Sequence, residues 1–314
     1  MQEYAAVNRP SSKWRRRIKR LAITAAVLIF LFFFVVVPVG LSFLITNNRF
    51  RPPERGPTDP ESLQLKVEHV EFRSDDGVDL KGWWNSGDGN SPVIIFVHGL
   101  NRSRLEHLER ASEAAKRGYG VLLFDLRNHG ESAKAYTTLG VNESHDVCAA
   151  RDFLKREAGG RPQILWGVSL GASTALLAEH RCPGSAAIIS DSSFLSFSET
   201  IKHHFNLIFR LPAFPIAHTI IWLTSFRMGF RPSDGDVENA VAALGDVPIL
   251  FIAGGADVRM PPHLAEQLAS RATSPAKQLL VVPGAAHGQA FAHDREIYLK
   301  TVFEFLDRNV RKKG

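Results

Sequence analysis

Gly167-Val168-Ser169-Leu170-Gly171 sets a serine between two glycines, directly after the apolar run Ile164–Trp166 and before a stretch of small residues. In a strand–turn–helix setting, G-x-S-x-G holds a serine hydroxyl exposed on a tight turn, and the glycines let strand and helix approach closely. A serine hydroxyl is a poor nucleophile until a base takes its proton, so a histidine oriented by a carboxylate should follow. Asp257 closes Ala253-Gly254-Gly255-Ala256-Asp257, after the apolar run Ile249–Ile252. His287 lies in Pro283-Gly284-Ala285-Ala286-His287-Gly288, after Leu279–Val282. Singly, an Asp beside Gly-Gly is an ordinary turn residue and a loop His is an ordinary solvated one. Together, in the order serine, acid, base, each after an apolar run, they predict Ser169 as nucleophile, Asp257 as acid and His287 as base.

Two rivals belong beside these. Asp191, after Ala186–Ile189, is a second candidate acid, and His293 is a second base, expected inside the last helix rather than on a loop. The run Val93–Val97 ends in His98-Gly99-Leu100-Asn101. Backbone N–H groups of Leu100 and of Leu170, the residue after the serine, would converge on a developing oxyanion. His98 is expected to brace this loop and to take no part in the chemistry.

What must position these residues is an alternation of strands and helices. Short apolar runs fall at Val67–Phe72, Val78–Trp84, Val93–Val97, Val121–Leu126, Ile164–Trp166, Ala186–Ile189, Ile249–Ile252 and Leu279–Val282. Helical spacing marks Arg104–Lys116, Glu143–Glu157, Ala172–His180, His263–Ala272 and Asp294–Val310. An early strand pair followed by strand–helix units predicts an α/β fold with a mostly parallel, eight-stranded sheet flanked by helices. Ligands in such sheets sit beyond the carboxyl ends of the strands, where all the candidate residues lie.

From about residue 64 to 310 the chain resembles an α/β-hydrolase of the lysophospholipase and monoacylglycerol-lipase-like type. Asp125-Leu126-Arg127-Asn128-His129-Gly130-Glu131-Ser132 is similar to the D-x-R-G-H-G-x-S segment of that group, with Asn128 in place of the first Gly. The resemblance implies hydrolysis through an acyl-serine intermediate, with no cofactor and no metal.

Ahead of this domain, Leu21–Thr46 carries no charged side chain and is dominated by Leu, Ile, Val and Phe. At 1.5 Å per residue it reaches roughly 39 Å, enough to cross a ~30 Å hydrocarbon core with some tilt, so a single transmembrane anchor is expected. Too long an apolar run and a poor cleavage site argue against a signal peptide. Lys13, Arg15, Arg16, Arg17, Lys19 and Arg20 precede it, whereas Arg49, Arg51 and Arg55 follow. The heavier flank belongs in the cytoplasm, which sends the domain to the extracytoplasmic side. The divisions are a basic N-terminus at 1–20, an anchor at 21–46, a proline-rich linker at 47–63 and a hydrolase domain at 64–314.

The net charge of +6 might suggest nucleic acid, but residues 1–55 hold ten Lys/Arg against two Glu, a balance of +8 that leaves −2 for the rest. A nucleic-acid surface needs its basic excess inside the folded domain, so nucleic acid is excluded as a partner. Cys148 and Cys182 have no metal-site spacing, and whether they pair is a question of geometry.

Residues 193–235 interrupt the strand–helix rhythm and read as a helical cap. Phe194, Phe197, Ile201, Phe205 and Ile208 follow helical spacing, Pro215 opens a second helix, and no acidic residue falls between Glu199 and Asp234. Such a cap either packs its own core or receives an apolar acyl group at a lipid surface. A peptidase would need carboxylates there for a substrate's amine. The expected substrate is therefore a small-molecule or lipid carboxylic ester, with an acyl thioesterase or acyltransferase, or a peptidase of the same fold, as the alternative enzyme readings. A catalytically silent, anchored binding module is the non-enzyme alternative, and nothing in binding alone calls for the serine, acid, base and H-G-x loop together.

Overall fold

The computed structural model describes residues 12–47 and 56–310. Most of the basic N-terminus and the first part of the linker, with Arg49, Arg51 and Arg55, lie outside the described residues.

Eight strands form one sheet: β1 (Glu68–Arg73), β2 (Asp79–Asn85), β3 (Val93–Val97), β4 (Gly120–Phe124), β5 (Gln163–Val168), β6 (Ala187–Asp191), β7 (Ile249–Gly254) and β8 (Lys277–Val282). Their order is β1-β2-β4-β3-β5-β6-β7-β8. β2 pairs antiparallel with β1 and β4, and the remaining neighbours are parallel. β3 is apolar throughout because both of its faces are covered: Val93, Ile95 and Val97 enter one core layer, Ile94 and Phe96 the other.

One layer holds α4 (Glu143–Glu157), α5 (Leu170–Arg181) and α9 (Pro262–Arg271), and the other holds α3 (Leu108–Ala115) and α11 (Arg295–Asn309). The expected helix from Arg104 begins instead as a 3-10 turn, Arg104–His107, with the Ser103 side chain accepting the Leu105 N–H. A short helix, α8 (Val237–Ala242), was not legible in the apolar pattern; Asp236 starts it by accepting the Asn239 N–H at 3.0 Å. His293 closes a separate four-residue helix, α10 (Ala290–His293), and is not inside α11. The break comes at Asp294, which caps α11 through the Ile297 N–H. Cys148 on α4 and Cys182 at the end of α5 are joined in a disulfide.

The cap is two helices, α6 (Phe197–Phe209) and α7 (Ile216–Met228), after β6. Phe197, Ile201 and Phe205, four residues apart, form the buried face of α6. Ser196 caps it by accepting the Glu199 N–H at 3.1 Å. Outward, Phe209, Leu211, Phe214, Trp222 and Phe226 are exposed.

The N-terminal segment is one long helix: α1 (Ser12–Leu31), a π-helical turn (Phe32–Val36) and α2 (Val37–Asn47). It is long and apolar enough to cross a membrane. α1 is exposed along its length, whereas Pro38, Ser42 and Thr46 of α2, again four apart, are buried. α2 packs on α7, where Ser42 Oγ accepts from Thr224 Oγ1 at 3.0 Å and from Arg227 Nη1 at 2.7 Å. The Arg227 guanidinium lies 3.5 Å from the centre of the Phe43 ring. The carbonyls that end α2 are satisfied by the domain: the Thr137 N–H donates to Thr46 O at 2.8 Å, and Asn128 Nδ2 to Asn47 O at 3.2 Å.

Candidate active site

Ser169 follows the last residue of β5 and precedes the first of α5, at φ 54° and ψ −116°. For a residue other than glycine this backbone is strained by roughly 1–3 kcal/mol and must be held by its surroundings. The two glycines show how. A Cβ at Gly167 would meet the Gly171 carbonyl group at 2.3 Å, and one at Gly171 would meet the Val97 carbonyl oxygen at 1.9 Å. Only bare backbone lets α5 start this close to β3 and β5.

The loops after β7 and β8 carry the other two candidates to this turn. His287 Nε2 lies 2.8 Å from Ser169 Oγ, and His287 Nδ1 lies 2.7 Å from Asp257 Oδ2. The other Asp257 oxygen accepts the N–H groups of Arg259 and Met260 at 2.9 and 2.8 Å, so the carboxylate is fixed by its own turn. Its side chain is fully buried and that of His287 is 11% exposed. Three residues spread over more than a hundred positions meet through hydrogen bonds from hydroxyl to imidazole to carboxylate.

Asp191 and His293 do not join them. The Asp191 carboxylate is bonded to Ser192 Oγ at 2.9 Å and Tyr298 Oη at 3.0 Å, and burial pushes its pKa up. Ser192 Oγ in turn accepts the Gly288 N–H at 3.3 Å, so Asp191 supports the histidine loop from below. His293 sits against Gly284, at the start of that loop.

The loop after β3 comes up to the serine, with the position of a Cβ on Gly99 only 3.6 Å from Ser169 Cβ. Leu170 opens α5, so its N–H has no partner one turn earlier in the helix, and Leu100 shares the cavity wall with Ser169 and Leu170. His98 Nε2 accepts the Leu126 N–H at 3.0 Å, so its proton is on Nδ1, where it donates to Gly99 O at 2.8 Å. His129 repeats the pattern, accepting the Asn101 N–H and donating to Arg127 O. Two neutral histidines thus brace the loop. A third brace was missed in the sequence: Glu106 Oε2 accepts the Gly99 N–H at 2.6 Å. Gly99 lies in a loop and Glu106 in the 3-10 turn that follows, so no shared helix or strand pointed to the contact.

A cavity of about 360 Å³ opens beside Ser169, within the usual range for small-ligand sites. Its wall is apolar, from Leu139, Phe194, Ile201, Phe205, Ile208 and Phe209 among others, and includes Leu41, Leu44 and Ile45 of α2. Arg259 and His204 add polarity. Burial lowers the pKa of both, which favours neutral imidazole at His204.

The model of the alpha/beta hydrolase family matches residues 94–298, a stretch running from β3 into α11 that contains Ser169, Asp257, His287 and the loop after β3, and leaves out α2. The chain belongs to the alpha/beta hydrolase family. This hydrolase is 30% identical to the uncharacterized protein YqkD of Bacillus subtilis over 234 residues, covering 74% of this chain and 76% of that one. It is 28% identical to the uncharacterized protein YfhR of Escherichia coli K12 over 290 residues, covering 89% and 93%. Among solved structures, the hydrolase is similar to the esterase Pf2001 of Pyrococcus furiosus, with a TM-score of 0.67 and 28% identity over 82% of this chain and 99% of that one.

Proposed function

We propose that the hydrolase is a membrane-anchored serine esterase acting on acyl lipids of the lysophospholipid or monoacylglycerol kind. The observation that carries this reading is the Ser169–His287–Asp257 hydrogen-bonded series at the mouth of an apolar cavity. Ser169 Oγ attacks the ester carbonyl while His287 Nε2 takes its proton, and the Asp257 carboxylate stabilises the imidazolium. The N–H groups of Leu100 and Leu170 receive the oxyanion. As the tetrahedral intermediate collapses, the C–O bond to the alcohol breaks and His287 returns the proton to the leaving oxygen. Water, deprotonated by His287, then releases the acid from the acyl-serine. All the groups this needs belong to the chain itself.

The esterase Pf2001 supports ester over amide chemistry, and so does the cap, which offers no carboxylate for an amine between Glu199 and Asp234. Each methylene buried in the cavity contributes up to ~0.8 kcal/mol, so chain length should weigh heavily on kcat/KM. A fluorophosphonate should label the wild type and not Ser169→Ala, and p-nitrophenyl esters should be cleaved faster as the acyl chain lengthens. Equal labelling of both proteins, or faster cleavage of aminoacyl-anilides, overturns the reading.

The anchor, residues 21–46, is proposed to hold the N-terminus in the cytoplasm and the domain outside. Besides the basic flank, the Cys148–Cys182 disulfide favours an oxidising compartment. Protease added outside intact cells should digest the domain; its survival would reverse the orientation.

A further inference from the structure

We propose that the last turns of the N-terminal helix are part of the acyl-binding site, forming the wall along which a lipid chain passes from the bilayer to Ser169. This rests on the esterase reading above and says where its substrate comes from.

The wall itself is visible. Leu41, Leu44 and Ile45 of α2 border the same cavity as Ser169, across from Ile208 and Phe209 of α6. A membrane tether has no need to reach the active site.

This stretch is also docked, not draped. Ser42 and Thr46 are polar residues buried in an apolar helix, a placement that is unfavourable unless their hydroxyls are bonded; the Thr46 hydroxyl donates to Ser42 O within α2 at 3.0 Å, whereas that of Ser42 finds its partners on the cap. Ser42 is bonded to Thr224 and Arg227 of the cap, and the carbonyls of Thr46 and Asn47 to the loops at Thr137 and Asn128. Specific hydrogen bonds from two separate parts of the domain fix α2 in one position beside the cavity.

Helix length then places the cavity mouth relative to lipid. The uncharged stretch ahead of α2, residues 21–36, rises only about 24 Å at 1.5 Å per residue, short of the ~30 Å hydrocarbon core. The remainder must come from the first docked turn or two, which draws the cap against the bilayer. The outer face of the cap fits that position: Phe214, Trp222 and Phe226 are exposed, and Trp222 stacks on Phe226. Aromatic side chains of this kind favour the membrane interface. A single-chain lipid lying in the adjacent leaflet can slide its tail between α2 and α6 without crossing water, leaving its ester at the serine.

The test uses the full chain in lipid nanodiscs and reads the rate of Ser169 labelling by a long-alkyl fluorophosphonate relative to a short-alkyl one. Leu41→Trp and Ile45→Trp narrow the passage and should lower that ratio tenfold or more. Leu28→Trp, on the exposed part of the same helix, should leave it unchanged. In the wild type, a long-alkyl fluorophosphonate carrying a terminal diazirine should, after photolysis, crosslink to residues 41–45. An unchanged ratio in both narrowed variants, or crosslinks confined to α6 and the sheet loops, overturns the wall while the esterase stands. A wild type that takes up neither probe at Ser169 overturns the esterase reading and the wall with it.

Discussion

The two sides of the serine are built on opposite principles. Below it, every candidate group is fixed by the sheet: Ser169 by its strained turn, Asp257 by two backbone N–H groups, and the His287 loop through Ser192 and Asp191. Above it, the cavity is bounded by cap helices and α2, with large apolar side chains facing outward and α2 pinned to the domain at its last turns. The reacting atoms need positions good to a fraction of an ångström, and the acyl chain needs only an apolar surface. On the proposed reading, polar support lies where charge would develop, and apolar packing where the substrate would vary.

The sharpest way to break this contrast is to remove one buried carboxylate at a time. Asp257→Asn should lower kcat/KM by about 10³-fold or more, since an amide cannot stabilise the imidazolium and favours the wrong tautomer. Asp191→Asn keeps the shape of a supporting group and should cost less than about tenfold. The reverse ranking, measured on one soluble ester, would move the acid to the end of β6.

A milder change probes the upper side. Ser42→Ala removes the acceptor shared by Thr224 and Arg227 and should destabilise the α2–cap contact by about 1–3 kcal/mol. Thermal unfolding of the full chain should shift down by a few degrees while fluorophosphonate labelling of Ser169 persists. A melting curve identical to wild type would mean that α2 is only resting on the cap.

The same contrast governs what could be read in the sequence. Residues that follow strand ends obey rules of spacing, so the meeting of Ser169, Asp257 and His287 was legible, as were all eight strands and both cap helices. Glu106, Ser192 and the helix Val237–Ala242 were not, because their roles depend on three-dimensional neighbours and leave no period behind. The docking of α2 was hidden for another reason. Ser42 looks like an isolated interruption in an apolar run, and only its partners Thr224 and Arg227 give it a purpose, while Thr137 meets a backbone carbonyl of Thr46 that any residue would offer. The Cys148–Cys182 bond likewise required the approach of α4 and α5.

Asn128 has a practical consequence. It stands where the resembling segment has glycine, at φ 61°, a left-handed conformation that asparagine tolerates better than most side chains. Unlike glycine, it has an amide to spare, and that amide grips the final carbonyl of α2. One substitution thus serves both the bend of the loop and the attachment of the helix. Shortening the chain before the domain to make it soluble would strip Asn128, Thr137, Thr224 and Arg227 of these partners and open one flank of the cavity to water. Activity profiles taken on such a shortened form would describe a different vessel for the substrate, even with Ser169, His287 and Asp257 untouched.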